Sequence, residues 1–139
     1  MESSSAASRI AVVETFYTAV RSSGDVGSVI DEHFAADASV EWPASLPYGG
    51  RVDGAHRLSR MFAQMAVSDV KVGPDALDVV SITASGDHVA AELAFDWFPP
   101  GKTTAIASGA LELWTFAGDE VRSIRAFYWD TAALVAAMA

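Results

Sequence analysis

HVAAELAFDWF (88–98), KTTAIASGALELWTF (102–116) and EVRSIRAFYW (120–129) follow one another with only turn residues between them. Their reading decides the fold. Each segment is long, rich in apolar and aromatic residues, and bounded by breakers. Pro99-Pro100-Gly101 closes the first, and Ala117-Gly118-Asp119 the second. One more such segment, ALDVVSITA (76–84), precedes them and ends at Ser85-Gly86-Asp87. Four strands in succession with short turns predict an antiparallel meander.

The chain before Gly73-Pro74 has another rhythm. From Ala6 to Arg21, Ile10, Val13, Phe16, Tyr17 and Val20 recur at helical spacing, and Ser22-Ser23-Gly24 stops them. Asp25 is placed to cap a second helix carrying Val26, Val29, Ile30 and Phe34. Residues 38–42 read as a short strand. Asp53 or Gly54 opens a third helix with the stripe Leu58, Met61, Phe62 and Met65, and Arg57, Arg60 and Gln64 lie opposite. Asp130 caps a closing helix, TAALVAAM. Helices first and a long curved sheet afterwards make an α+β pattern, read as one domain over 1–139.

Composition narrows the function classes. Half of the residues (51%) are hydrophobic, so a sizeable core is expected. No apolar run approaches the roughly 18 residues of a membrane span, and the stretch MESSSAASRIAVVE lacks a cationic start followed by a long apolar run, so no secretion signal is expected. Only the start of the chain is low in complexity, and no repeat is visible. The absence of cysteine removes thiol nucleophiles and thiolate metal sites and fits a reducing cytoplasm. A net charge of −9 disfavours nucleic acid and anionic membranes as partners and leaves an apolar small molecule compatible.

Strand residues alternate between faces. A hairpin closed near Pro100 sets Asp96 opposite Thr104 and Glu92 opposite Ser108. One face then carries Glu92, Asp96, Ser108, Glu112, Trp114, Arg122, Ile124, Ala126 and Tyr128. The other carries Leu93, Phe95, Trp97, Ala107, Leu111, Leu113, Phe127 and Trp129, too apolar to meet water. Either the helices or another subunit must cover it.

Asp96 and Glu112 are the candidate acids. Glu112 is the only charged residue between Thr103 and Phe116, and Asp96 is flanked by Phe95, Trp97 and Phe98. A carboxyl among apolar groups resists ionisation, which suits proton transfer near neutral pH. The structural alternative pairs Glu112 with Arg122 or Arg125, and Asp96 with Lys102 or water. Small neighbours such as Ala94, Gly109 and Ala126 would leave room for a ligand. The breaker-rich stretch VEWPASLPYGGRVDG (40–54) holds Trp42 and Tyr48 on a backbone unfit for a long element, which fits the rim of a cavity. Tyr17 and Tyr128 could donate to a ligand oxygen, and core packing with a satisfied hydroxyl explains them equally. His56, in the first turn of the third helix, could reach the same mouth, although a surface helix position is the preferred reading. His33, His56 and His88 lack paired spacing, so no metal is expected.

VVETFYTAVRSSGDVGSVIDEHFAADASVEWPA (12–44), LPYGGRVDGAHRLSRMF (46–62) and GALELWTFAGDEVRSIRAFYWDTAALVAAM (109–138) resemble the nuclear transport factor two-like superfamily, in particular its SnoaL-like enzymes. The resemblance implies a cone-shaped α+β barrel: three N-terminal helices packed on a curved, mixed, mostly antiparallel sheet. It implies a pocket between helices and sheet, and a homodimer through the opposite, apolar face. In that pocket Trp42, Tyr48, His56, Phe62, Trp114, Tyr17 and Tyr128 would bind substrate, and Asp96 and Glu112 would be catalytic. Glu112 falls where steroid isomerases of this superfamily keep a protonated oxyanion-hole Asp. Trp42 takes the place of their base, and Phe16 that of their catalytic Tyr. Asp96 falls near one acid of the epoxide hydrolases, whose Arg is replaced by Ala94 and whose second Asp lies near Ala126.

The expected function is that of an enzyme without cofactor, acting on an apolar oxygenated molecule by ring closure or epoxide opening, as polyketide cyclases do. An isomerase or dehydratase is the alternative reaction. A non-catalytic ligand-binding or dimerisation domain is the alternative class.

Overall fold

The computed structural model describes residues 5–22 and 24–139. The first residues of the low-complexity start, and Ser23 of the expected helix stop, lie outside the described residues. The elements run α1 (Ala6–Arg21), α2 (Val26–His33), β1 (Phe34–Trp42), β2 (Gly50–Asp53), α3 (Ala55–Ala66), β3 (Gly73–Ser85), β4 (His88–Phe98), β5 (Ile106–Ala117), β6 (Glu120–Tyr128) and α4 (Thr131–Ala137). The six strands form one sheet in the order β2-β1-β6-β5-β4-β3. β3 to β6 make the expected antiparallel meander, and β1 joins it parallel to β6. The fold is the expected α+β arrangement of helices on a curved mixed sheet. The sheet is not closed into a barrel, because β2 and β3 remain its two edges.

Local chemistry explains most element ends. Ser5 and Ser8 close a capping box at the start of α1. Asp25 accepts from the Ser28 backbone N–H at 3.0 Å and so caps α2, and Asp130 does the same for α4 through Ala133 at 3.2 Å. The third helix starts without a side-chain cap, at Gly54. Asp53, the other candidate, binds Arg51 instead at 2.8 Å.

Two elements differ from the sequence reading. Phe34 opens β1 rather than ending a helix, and the register against β6 shifts between Phe34 and Ser39. That irregularity breaks the two-residue alternation by which a strand is recognised. β2 was hidden among breakers: Trp42 pairs with Gly50, so 43–49 is a tight excursion between paired strands.

The largest correction concerns the β4–β5 hairpin. Asp96 pairs with Ala107, not Thr104, and Glu92 with Leu111, not Ser108. Residues 99–105 form a longer connection, in which Pro99 is fully buried and Gly101 takes a left-handed φ of 72°. The displacement is an odd number of residues, so it reverses the face of β4 relative to β5. Leu93, Phe95 and Trp97 therefore point into the core with Glu112 and Trp114, while Glu92 and Asp96 share the outer face with Leu111 and Phe127. The β5–β6 pairing is as expected, with Glu112 opposite Ala126. A shift between Thr115 and Phe116 buries Val121 and leaves Arg122 outside, next to Asp37 at 3.2 Å.

The core lies between α1–α3 and the inner sheet face, around Phe16, Phe34, Trp97 and Trp114. Arg9 is buried within it at 8% exposure. It donates to the carbonyls of Gly86 (2.7 Å) and Gly118 (3.0 Å), fastening α1 to both hairpin turns. In the 43–49 excursion, the Leu46 and Gly49 amides donate to the carbonyls of Pro43 (3.1 Å) and Leu46 (2.9 Å). A methyl group at Gly49 would overlap the Pro43 carbonyl oxygen and the Ala44 backbone. Gly49→Ala is expected to cost about 2 kcal/mol in urea unfolding; a midpoint equal to the wild type would refute this close packing.

Candidate active site: a pocket with one carboxyl and three tyrosines

A pocket of about 130 Å³ opens between the helices and the inner sheet face. A void near 150 Å³ holds one benzene ring, so a larger ligand must project from the mouth. Phe16 and Tyr17 of α1 and Met61, Phe62 and Met65 of α3 line one side. Leu93, Phe95, Ile124 and Tyr128 of the sheet line the other, and Trp42 and Tyr48 stand at the β1–β2 end. Met65 is 47% exposed, which marks the open side.

Glu112 is the only carboxylate side chain on this lining. Its Oε1 accepts from the Tyr17 hydroxyl at 2.5 Å, and the Tyr17 oxygen accepts from Trp114 Nε1 at 2.9 Å. Burial pushes the Glu112 carboxyl above its ordinary range, and the Tyr17 bond only partly opposes this. Burial and the neighbouring Glu112 hold the Tyr17 hydroxyl far above its usual pKa, so it stays a donor. No protein group bonds Oε2 of Glu112 among the described residues, and no buried side-chain oxygen lacks a partner there. Oε2 is therefore accessible from the pocket, and a proton carried by Glu112 sits on that atom while Tyr17 donates to the other.

A second chain of polar groups lies beside the first. Trp97 Nε1 donates to the Tyr48 oxygen at 2.8 Å, and the Tyr48 and Tyr128 oxygens are 2.8 Å apart. Two hydroxyl protons serve one Tyr–Tyr bond, so one O–H of the pair is always free for a ligand. Burial pushes the Tyr48 pKa up to about 12, and raises Tyr128 as well. Tyr128 follows Ala126, the partner of Glu112, by two residues on the same strand face. Such diagonal neighbours lie roughly 7 Å apart. Gly73, with φ of 84°, backs this arrangement: its Cβ position is 3.1 Å from the Tyr48 ring.

Tyr17, Trp42, Tyr48, Phe62, Glu112 and Tyr128 meet in the pocket. Trp114 is fully buried behind it, donating to Tyr17 and packing against Phe16. Asp96 is exposed on the outer sheet face, because the hairpin register differs from the expected one. His56 is exposed on α3 and does not line the pocket, its helix turning the Met61–Phe62 stripe inward instead. Glu112 pairs with neither Arg122 nor Arg125; Arg125 lies near Glu41 on the outside. Sequence reasoning missed Leu93 and Phe95 as lining groups and Trp97 as the support of Tyr48. Only the correct register could have revealed them. Among the described residues no group of three or more His, Asp or Glu side chains is gathered to hold a metal ion, and no helix is long and apolar enough to cross a membrane.

Among the described residues the α+β scaffold thus holds an apolar pocket between helices and sheet with one carboxyl on its lining. Residues 13–124 match the SnoaL-like domain, and the chain belongs to that family. No curated protein sequence matches it. Among solved structures, it is similar to a putative SnoaL-like polyketide cyclase from Jannaschia sp. (17% identity, TM-score 0.74, covering 100% of this chain and 97% of that one). It is also similar to an NTF2-like protein from Burkholderia xenovorans (19% identity, TM-score 0.73, covering 97% and 98%). A third is a protein with a ketosteroid isomerase-like fold from Catenulispora acidiphila, solved with trimethylamine (22% identity, TM-score 0.66, covering 88% of each). At these identities the likeness establishes the fold.

The raised Glu112 pKa has a sign that can be tested. A carboxyl whose folded pKa exceeds its unfolded value disfavours the native state as it ionises. That contribution is absent below the unfolded pKa and grows as pH rises through the folded one. Glu112→Gln keeps an acceptor for Tyr17 and removes the charge. Its melting temperature relative to the wild type should therefore rise between pH 4 and pH 8; a constant difference across that range would refute the desolvated acid.

Proposed function

We propose that this protein is an enzyme that catalyses proton transfer within an apolar, oxygenated small molecule, with ring closure of the polyketide-cyclase type as the leading reaction. The observation that carries the reading is a single raised-pKa carboxyl whose free oxygen faces an apolar pocket beside an uncommitted tyrosine hydroxyl. The name of the Jannaschia relative agrees with it.

In the ionised form, Oε2 of Glu112 removes a proton from carbon adjacent to a substrate carbonyl. Electron density moves to that carbonyl oxygen, which the free O–H of Tyr48 or Tyr128 stabilises. The enolate carbon attacks a second carbonyl of the same molecule and forms the ring bond. The proton on Oε2 then passes to the new alkoxide and restores the carboxylate. Atoms and charge balance without any further reactant. Isomerisation uses the same group, which returns the proton to another carbon. Tyr17 holds Glu112 and Trp114 holds Tyr17, so both act as positioning residues. Asp96 has no part in this scheme, given its place on the outer face.

We also propose a homodimer through the outer face. Leu111 (47% exposed), Phe127 (46%) and Trp129 (76%) border a trough floored by Ala94, Ala107 and Gly109. Floor and rim belong to one patch, so a two-fold axis sets the rim of each copy on the floor of the other. Trp129→Glu should convert a wild-type dimer into a monomer in sedimentation equilibrium; a monomeric wild type would sink the assembly.

The catalytic reading is tested by incubation with a panel of aryl diketones able to close a ring, followed by chromatography and mass spectrometry. Glu112→Gln should lower turnover by about 10²- to 10⁴-fold, and Asp96→Asn should leave it unchanged. Wild-type turnover in Glu112→Gln would reject the proton-transfer role. Ligand-induced thermal stabilisation of the wild type without product from any substrate would favour the non-catalytic carrier.

A further inference from the structure

We infer that the pocket takes an amphipathic anion, whose apolar part enters the cavity while its negative end rests on Arg57 and Arg60. This rests on the reading of the pocket as a ligand site and adds the chemical class of the ligand.

The first observation is continuity. Arg57, Arg60, Met61 and Gln64 line a shallow depression of about 210 Å³ on α3, and Met61 also lines the main pocket. The helical stripe Met61–Met65 faces the cavity, and the stripe with Arg57, Arg60 and Gln64 is its neighbour along the same helix. The cavity proper holds about one ring. The remainder of a longer ligand that leaves past Met61 meets this shelf.

The second observation is charge. The chain carries 18 acidic against 9 basic residues, so a basic side chain has no shortage of carboxylates to pair with. Arg9, Arg51, Arg122 and Arg125 each have one within 4 Å among the described residues. Lys71 has Asp75, and Lys102 donates to the Ala139 carbonyl. Arg21 lacks such a partner but lies in the last turn of α1, where the helix dipole favours a cation. Among the described residues Arg57 and Arg60 have neither compensation. Arg57 stands in the first turn of α3, where the dipole opposes a cation and no acidic residue accompanies it. Two uncompensated guanidinium groups one turn apart, with an amide beside them, present planar donors suited to a carboxylate or a phosphate. No covalent step is involved; the shelf binds and orients.

The two sources of negative charge are separated by probe. Binding of 2-naphthoate, 2-naphthyl phosphate and methyl 2-naphthoate is followed by quenching of tryptophan fluorescence. The wild type should bind the better of the two anions about 5- to 10-fold more tightly than the neutral ester. Added salt should reduce that preference. The double variant Arg57→Gln with Arg60→Gln should lose it and keep the ester affinity. Which anion is preferred identifies the end group. Equal affinity of the wild type for acid, phosphate and ester would overturn the shelf, as would a preference that survives in the double variant. Failure of all three probes to bind would overturn the pocket reading, and this inference with it. An unchanged melting curve for the variant distinguishes loss of the shelf from loss of the fold.

Discussion

The hydrogen bond from Tyr17 to Glu112 is the contact on which the site depends. A carboxyl on an inner sheet face is a costly guest, because ionising it away from water is unfavourable. Here one oxygen is matched to a single hydroxyl, and that hydroxyl is fixed by the indole of Trp114. The indole is fully buried and packs edge-on against Phe16 and Phe34, so its direction is set by the core. Core packing thus determines which carboxyl oxygen is occupied and which is left to the pocket. A second fully buried indole, Trp97, does the same for Tyr48. In both chains a donor with only one hydrogen sets the direction of a group that has a choice.

How much of this was legible depended on the range of the signal. Local signals held. The α1 span, the caps Asp25 and Asp130 and the bounds of β4 follow from spacing and cap chemistry within a few residues. Glu112 stood out because its isolation among apolar neighbours is itself a local fact. Asp96 looked similar, yet its orientation relative to Glu112 depended on the length of one connection. PPGKTTA has the pattern of a turn running into a strand, but Thr103 and Thr104 favour strands only weakly against the geometry of two prolines and a left-handed glycine. Three residues of loop moved one acid to water and three large apolar side chains to the core. The Trp97–Tyr48–Tyr128 chain was out of reach for another reason. It joins β4, the 43–49 excursion and β6, and no pattern within any one segment encodes the meeting.

The two faces of the sheet carry different burdens. On the inner face Leu93 and Phe95 line the pocket with Glu112, while Trp97 and Trp114 are fully buried beside it. On the outer face glycine and alanine lie among exposed aromatics, and charges such as Asp96 and Glu92 sit at the periphery of the same surface. Relocating Asp96 therefore changes its meaning without changing its chemistry. An acid that seemed poised for catalysis becomes a solvated group that keeps part of an apolar face compatible with water.

One acid constrains the chemistry more tightly than two. A pair of carboxyls can divide the roles of base and acid, and hence protonate one side of a molecule while deprotonating the other. In the proposed reaction Glu112 alone would have to give back the proton it takes, through the single oxygen that faces the pocket. Donor and acceptor sites on the substrate then have to lie within reach of one atom, on one face of the bound molecule. The three tyrosines, with pKa values held at or above the usual 10, cannot relieve it of this task near neutral pH. In the proposed reaction Tyr48 or Tyr128 stabilises developing negative charge as a neutral donor, while Tyr17 holds Glu112. A reaction whose proton leaves and returns on the same face, with oxygen charge developing beside a tyrosine hydroxyl, is the kind this geometry favours. Hydrolysis by separated acid and base groups is the kind it disfavours.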